Sequence, residues 1–252
     1  MIDLFFIPDS MTVLVFIGLI ALSCFTSMLS ASMGIGGGSI LLAVMAQVVP
    51  VKAIIPVHGM VQLGSNVGRS IIMLSHVNWL YLLWFFAGSV FGALLGGQLV
   101  VSLPADTLRF VLACFILFSV WGPEFSSRIN SGQSLAVGGL FSTILTMFVG
   151  ATGPFVLSLY RALQLPRLAL VATNAASLVV QHALKVITFA LLGFVYSPYL
   201  WLILLMIASG FLGTIMGRYF LLKIDEKVFQ TWIKIILTIL AIRLLFLSIQ
   251  QV

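Results

Sequence analysis

Two stretches of the chain hold residues whose types and spacing suit the binding of an anion. The first is ASMGIGGGSILLAVMAQVVP, Ala31 to Pro50, where Gly34, Gly36, Gly37, Gly38 and Ser39 interrupt an apolar run. A helix that stops at such glycines and restarts near Ser39 leaves backbone N–H groups without intrahelical acceptors, at an end that carries partial positive charge. The Ser39 hydroxyl adds a donor, so the guest that suits this break is an anion. The second stretch, VGATGPFVLSLY, supplies Gly150, Thr152 and Gly153, and Pro154 suits the first position of a restarting helix. Thr152 and Pro154 stand where a fuller glycine run would echo the first break, so unequal contributions are expected. Each glycine also has a plainer reading as a point of close helix packing, and that reading fits Gly88, Gly92, Gly96, Gly213 and Gly217 better.

A polar stripe follows each break. His58, Gln62, Ser65 and Asn66 recur at three- and four-residue spacing and lead to Arg69; Asn174, Ser177, Gln181 and His182 lead to Lys185. Such stripes bond either the oxygens of a bound anion or neighbouring helices. Arg69 and Lys185 lie well inside apolar segments, where a cation is costly and therefore points to function. Both are expected to line a cavity and attract the anion; the alternative is that each snorkels to the surface. The acids Asp3, Asp9, Asp106, Glu124, Asp225 and Glu226 fall at termini, loops or segment ends, which argues against a carboxylate proton relay and leaves His58 or His182 for any proton coupling. No Cys, Asp or Glu stands near His58, His76 or His182 in sequence, so no catalytic residue, metal site or cofactor is assigned and an enzyme is the weakest class. Cys24 and Cys114, inside apolar runs, read as small apolar residues.

The elements that must position these residues are set by composition. Of 252 residues, 62% are hydrophobic and 7% charged, which excludes a water-soluble domain. Apolar runs that are long and do not alternate select helices over barrel strands, so the fold class is an all-α polytopic membrane protein. The net charge of +6 comes from scattered Lys and Arg, which read as topology signals and not as a nucleic-acid surface. The N-terminus lacks the basic region of a cleavable signal, so a retained first span is expected from Met11.

Gly, Pro and charge divide the chain into segments near 11–33, 38–49, 53–75, 78–101 and 105–121, then 133–149, 154–165, 167–192, 198–221 and 227–248. Each set has one short member of about 12 residues, or about 18 Å, too short for a hydrocarbon core of about 30 Å. In one register Gly34 falls on Gly150, Gly37 on Gly153, Pro50 on Pro166, Asn66 on His182 and Arg69 on Lys185. This predicts a duplication with repeats at 1–125 and 126–252. Lys52, Arg109, Arg161, Arg167, Lys223 and Lys227 mark one set of segment ends as cytoplasmic, with Arg128 the exception, and both termini are then periplasmic. That pattern predicts about eight spans, with each short segment a broken or re-entrant helix and the two halves sharing one orientation. The alternative counts five full spans per half and inverted repeats.

The GIGGG break, the GATGP echo, the short helix ending in Pro and the two-fold layout resemble the sulfite exporter TauE/SafE family of bacterial inner-membrane permeases, over nearly the whole chain. The resemblance implies export of sulfite, sulfoacetate or related sulfonates by a secondary transporter. Alternating access at a site between two broken helices is the expected mechanism; an anion channel or a permease for another small organic anion is the alternative. The expected partners are a small anionic substrate and the lipid bilayer, with no nucleic acid and with a homodimer left open.

Overall fold

The computed structural model describes residues 6–33, 36–101, 103–122, 132–150, 152–220 and 226–249. Gly34, Asp3, Glu124, Arg128, Lys223 and Asp225 lie outside the described residues, as do the side chains of Glu226 and Lys227. Ten α-helices are described: α1 (Val13–Met33), α2 (Gly37–Val48), α3 (Val51–Ile72), α4 (Trp79–Val101), α5 (Ala105–Trp121), α6 (Gly132–Val149), α7 (Gly153–Arg161), α8 (Arg167–Leu191), α9 (Leu200–Phe220) and α10 (Glu226–Ile249). Short 3-10 turns, Leu74–His76 and Ser197–Tyr199, precede α4 and α9. Six helices are long and apolar enough to cross a membrane, namely α1, α4, α6, α8, α9 and α10. α3 has 22 residues but carries the polar stripe, and α5 has only 17. The outer surface is apolar, with Leu14 82% and Leu191 83% exposed, as a lipid-facing surface requires.

Local chemistry explains the breaks. Gly36 precedes α2 at φ 101° and Gly150 follows α6 at φ 75°, a left-handed backbone in which a Cβ would crowd the next carbonyl. Pro154 occupies the first turn of α7, where its missing N–H costs nothing. Pro50 and Pro166 stand immediately before α3 and α8 in extended conformation and start the two stripe-bearing helices.

Glycine seams set the packing. A Cβ on Gly88, Gly92 or Gly96 of α4 would run into the α6 backbone at Ala136, Leu140 or Ile144; one on Gly213 or Gly217 of α9 would meet the carbonyls of Cys24 or Met28 in α1. Backbones therefore approach at the distance where weak Cα–H···O contacts form, as the packing reading of these glycines anticipates. These pairs also fix direction. α4 runs parallel to α6, and α1 parallel to α9, since Cys24 meets Gly213 and Met28 meets Gly217. Gly64 and Gly68 lie against Ile207 and Phe211, so α3 is parallel to both α9 and α1.

α3 and α8 are antiparallel: Gly59 lies on Lys185, whereas the backbone N–H of Asn78, beyond the end of α3, donates to Thr173 Oγ1 near the start of α8. α5 and α10 are antiparallel too, with Trp121 on Thr238 and, nearer the other end, Leu108 and Leu112 in one cluster with Leu244.

Two expectations are corrected by these directions. Elements at the same place in the two sets run oppositely, so the shared orientation anticipated from charge does not hold. Because α1 and α3 run the same way, the stretch containing α2 must return the chain between them; it neither continues α1 nor dips back to its own side. The reason is that the charge pattern weighed Lys52 and Arg109 together with Arg161 and Arg167. In the fold, Lys52 and Arg109 sit at the start of α3 and α5, at one face of the bundle, while Arg161 and Arg167 sit at the end of α7 and the start of α8, at the other.

Candidate functional site

Each break delivers the N-terminus of a short helix to the middle of the bundle. α2 begins one turn below the top of α1, with Gly37 pressed on the Thr26 carbonyl and the Ser30 hydroxyl. α7 begins at Gly153 with Thr152 before it. Between these ends and the facing stripes of α3 and α8 is a cavity of about 50 Å³. A water needs roughly 10–15 Å³ of such space, so the cavity admits several waters or one small polyatomic ion.

Gly36, Gly38, Ser39, His58, Gln62, Asn66, Arg69, Gly150, Gly153, Asn174 and His182, all anticipated from sequence, line it. Ser30, Pro154 and Leu178 line it as well and were not anticipated. Gly38 is tight against the Gln62 amide, so a side chain there would push Gln62 out of place. The first-turn N–H groups of α2 and α7 have no acceptor four residues back, which directs them at the space in front of each helix.

Hydrogen bonds order the α3 wall. His58 Nε2 lies 3.0 Å from the Gly38 carbonyl, which only accepts, so Nε2 carries the proton and Nδ1 is left without a partner. The Gln62 amide nitrogen lies 3.3 Å from the same His58 nitrogen, a contact between two donors once Nε2 is given to Gly38. Asn66 donates to the Gln62 carbonyl at 2.8 Å and accepts from the Arg69 guanidinium at 2.9 Å. Across the cavity, the His182 ring stands 6.4 Å from that of His58, nearly edge to face. Arg69 Nε, Asn174 Oδ1 and His182 Nδ1 are buried without a partner. With His58 Nδ1 they make four polar atoms without protein partners around one small cavity, a lining that suits a polar guest.

Four anticipated residues are placed elsewhere. Gly37 faces α1. Gln181 is fully buried and acts as a clamp: it donates to Ser142 Oγ at 2.8 Å and Thr143 Oγ1 at 3.0 Å of α6, and accepts from Thr152 Oγ1 at 3.2 Å. Thr152, just before α7, is thereby tied to α8. Lys185, also fully buried, turns away from the cavity and donates to Thr146 Oγ1 at 2.9 Å and the Gly150 carbonyl at 3.1 Å. Its ammonium thus caps the negative C-terminal end of α6.

Arg69 and Lys185 have no carboxylate partner among the described residues; the ion pair found there joins Arg109 to Asp106 at 3.2 Å. Among the described residues no three His, Cys, Asp or Glu side chains gather as metal ligands. Ser142, Thr143 and Thr146, which hold Gln181 and Lys185, are a set sequence reasoning passed over, though their spacing places them on one face of α6.

A family model described as sulfite exporter TauE/SafE matches residues 19–244. No curated protein and no solved structure matches the chain.

Proposed function

Because the chain belongs to the sulfite exporter TauE/SafE family, a family of membrane transporters, we propose that it exports a small sulfur oxyanion through the cavity between α2 and α7. Sulfite is the preferred substrate, ahead of sulfoacetate and other sulfonates, because the cavity of about 50 Å³ suits a compact ion. The observation that carries this reading is Arg69, a cation with no carboxylate partner among the described residues, facing a cavity rimmed by two helix N-termini and unpaired polar atoms. A half-buried cation facing a polar cavity, with no carboxylate beside it among the described residues, favours an anion as its counter-charge.

The eight long helices cross the bilayer, and α2 and α7 return the chain as short members. The repeats 1–125 and 126–252 are related by inversion, an arrangement that supports alternating access around a fixed site. Fully buried His58 in the cavity wall, with fully buried Lys185 packed behind it, favours a transporter over an open channel. Arg161, Arg167 and Lys227 outweigh Lys52 and Arg109, so the face with Arg161 and Arg167 is cytoplasmic and both termini are periplasmic in the bacterial inner membrane.

Purified protein in vesicles, offered sulfite, sulfoacetate, taurine and sulfate, tests the reading. Saturable sulfite flux with counterflow is expected. Sulfite flux no greater than in empty vesicles would overturn it, and flux that rises without saturation would favour the channel.

A further inference from the structure

A second cavity, of about 230 Å³, lies at the opposite face of the bundle from the Arg69 end of the anion site. Val51, Lys52 and Ile55 of α3, the turn into α5, and Phe189, Leu192, Gly193 and Phe194 after the α8 stripe line it. The two cavities share their walls. On α3, His58 faces the first and Ile55, one turn away, the second; on α8, His182 faces the first and Phe189 the second. Lys185 lies between them on α8. Its aliphatic stem rests on Gly59, where an added Cβ would stand 2.8 Å from Lys185 Cδ, so the absence of a side chain at residue 59 is what lets the lysine fill the gap between α3 and α8.

Exposure falls along this line. Arg69, Gln62 and Ser30 are partly exposed at one end, whereas His58 in the wall of the first cavity and Lys185 beyond it are fully buried.

Resting on the export reading above, we propose that the second cavity is the outer vestibule of the same path and that Lys185 is the seal and second anion ligand between the two. In this conformation the anion cavity opens toward the Arg161 and Arg167 face, and Lys185 is held by Thr146 and Gly150. When the path turns, the ammonium leaves these two acceptors for the anion and the α3–α8 gap opens to Ile55 and Phe189. The vestibule has an apolar lining with Lys52 at its mouth, so it offers an outgoing oxyanion few hydrogen bonds, and weak binding there favours release.

The test uses the full chain with Cys24→Ser and Cys114→Ser, and adds Ile55→Cys, Phe189→Cys or Ser30→Cys singly. A membrane-impermeant thiol reagent is expected to reach residues 55 and 189 from the face that bears Lys52, and residue 30 from the other face. Ile55→Cys and Phe189→Cys that react only from the Arg161 face, or from neither face while Ser30→Cys reacts, would overturn the vestibule. In parallel, Lys185→Gln should lower net sulfite efflux at least about tenfold, and Lys185→Arg should restore part of that efflux. Efflux at the parent rate in Lys185→Gln would overturn the seal. Should Lys185→Gln fail to fold, Gly59→Ala displaces the same stem and should slow efflux without weakening binding; parent efflux there would count equally against the proposal. Labelling needs no sulfite, so a parent indifferent to sulfite strikes the export reading, while accessibility still decides the path.

Discussion

At the residue scale, what separates ligand from scaffold is the direction each polar group faces. Arg69 reaches the cavity and shares a hydrogen bond with Asn66. Losing its charge should weaken sulfite binding by about 2 kcal/mol or more, roughly 30-fold, so Arg69→Gln in a binding titration tests the assignment. Gln181 makes the opposite case: it touches three side chains and no cavity. Gln181→Leu should lower thermal stability, by roughly 1–3 kcal/mol for each buried group left unpaired, while the folded protein keeps sulfite affinity within about twofold. The stripe from His58 to Arg69 was legible in the sequence because polar residues are rare in apolar segments and their spacing sets a common face. The turning of Lys185 was not legible, since it depends on where the α6 carbonyls end, and that is decided by the positive φ at Gly150.

At the element scale, the glycines divide by what stands in front of them. Gly150 is left-handed, and an added Cβ would lie 3.0 Å from Leu42 and 3.3 Å from His58 Nδ1. Gly150→Ala should therefore cost about 1–2 kcal/mol in backbone strain, read as a lower melting temperature, and should also narrow the site. Gly153, whose nearest neighbour is a Leu178 methyl at 3.7 Å, should accept alanine with little change in the same measurement. Both glycines stand in the same short motif, so sequence alone gave them equal weight. The helices themselves were legible nearly to the residue, because length and apolarity mark them. Their directions were not: the charge rule counts Lys and Arg near segment ends, and a chain with basic residues at both faces gives it a divided vote. Only tertiary contacts such as Gly59 on Lys185 and Asn78 on Thr173 decide it.

At the scale of the whole molecule, opposed directions place the start of α1 and the end of α10 at one face, that of the start of α5. Reporter tags at the two ends should therefore give the same sidedness, periplasmic on the orientation proposed here. Efflux of a bare anion should also follow the membrane voltage: an imposed 100 mV is worth about 2.3 kcal/mol per charge, so the equilibrium sulfite gradient should shift roughly 50-fold per net charge moved. A gradient indifferent to voltage would point to charge-balancing exchange. The seam between α1 and α9 has a bearing on how the protein is made. Ser23 donates to the Met206 carbonyl across 183 residues of chain, so the first helix is released into lipid long before its partner exists. At roughly 5–20 residues per second that is an interval of about 10–40 seconds, during which the glycine-receiving groove of α1 stands empty and open to stray helices or to a membrane-resident chaperone.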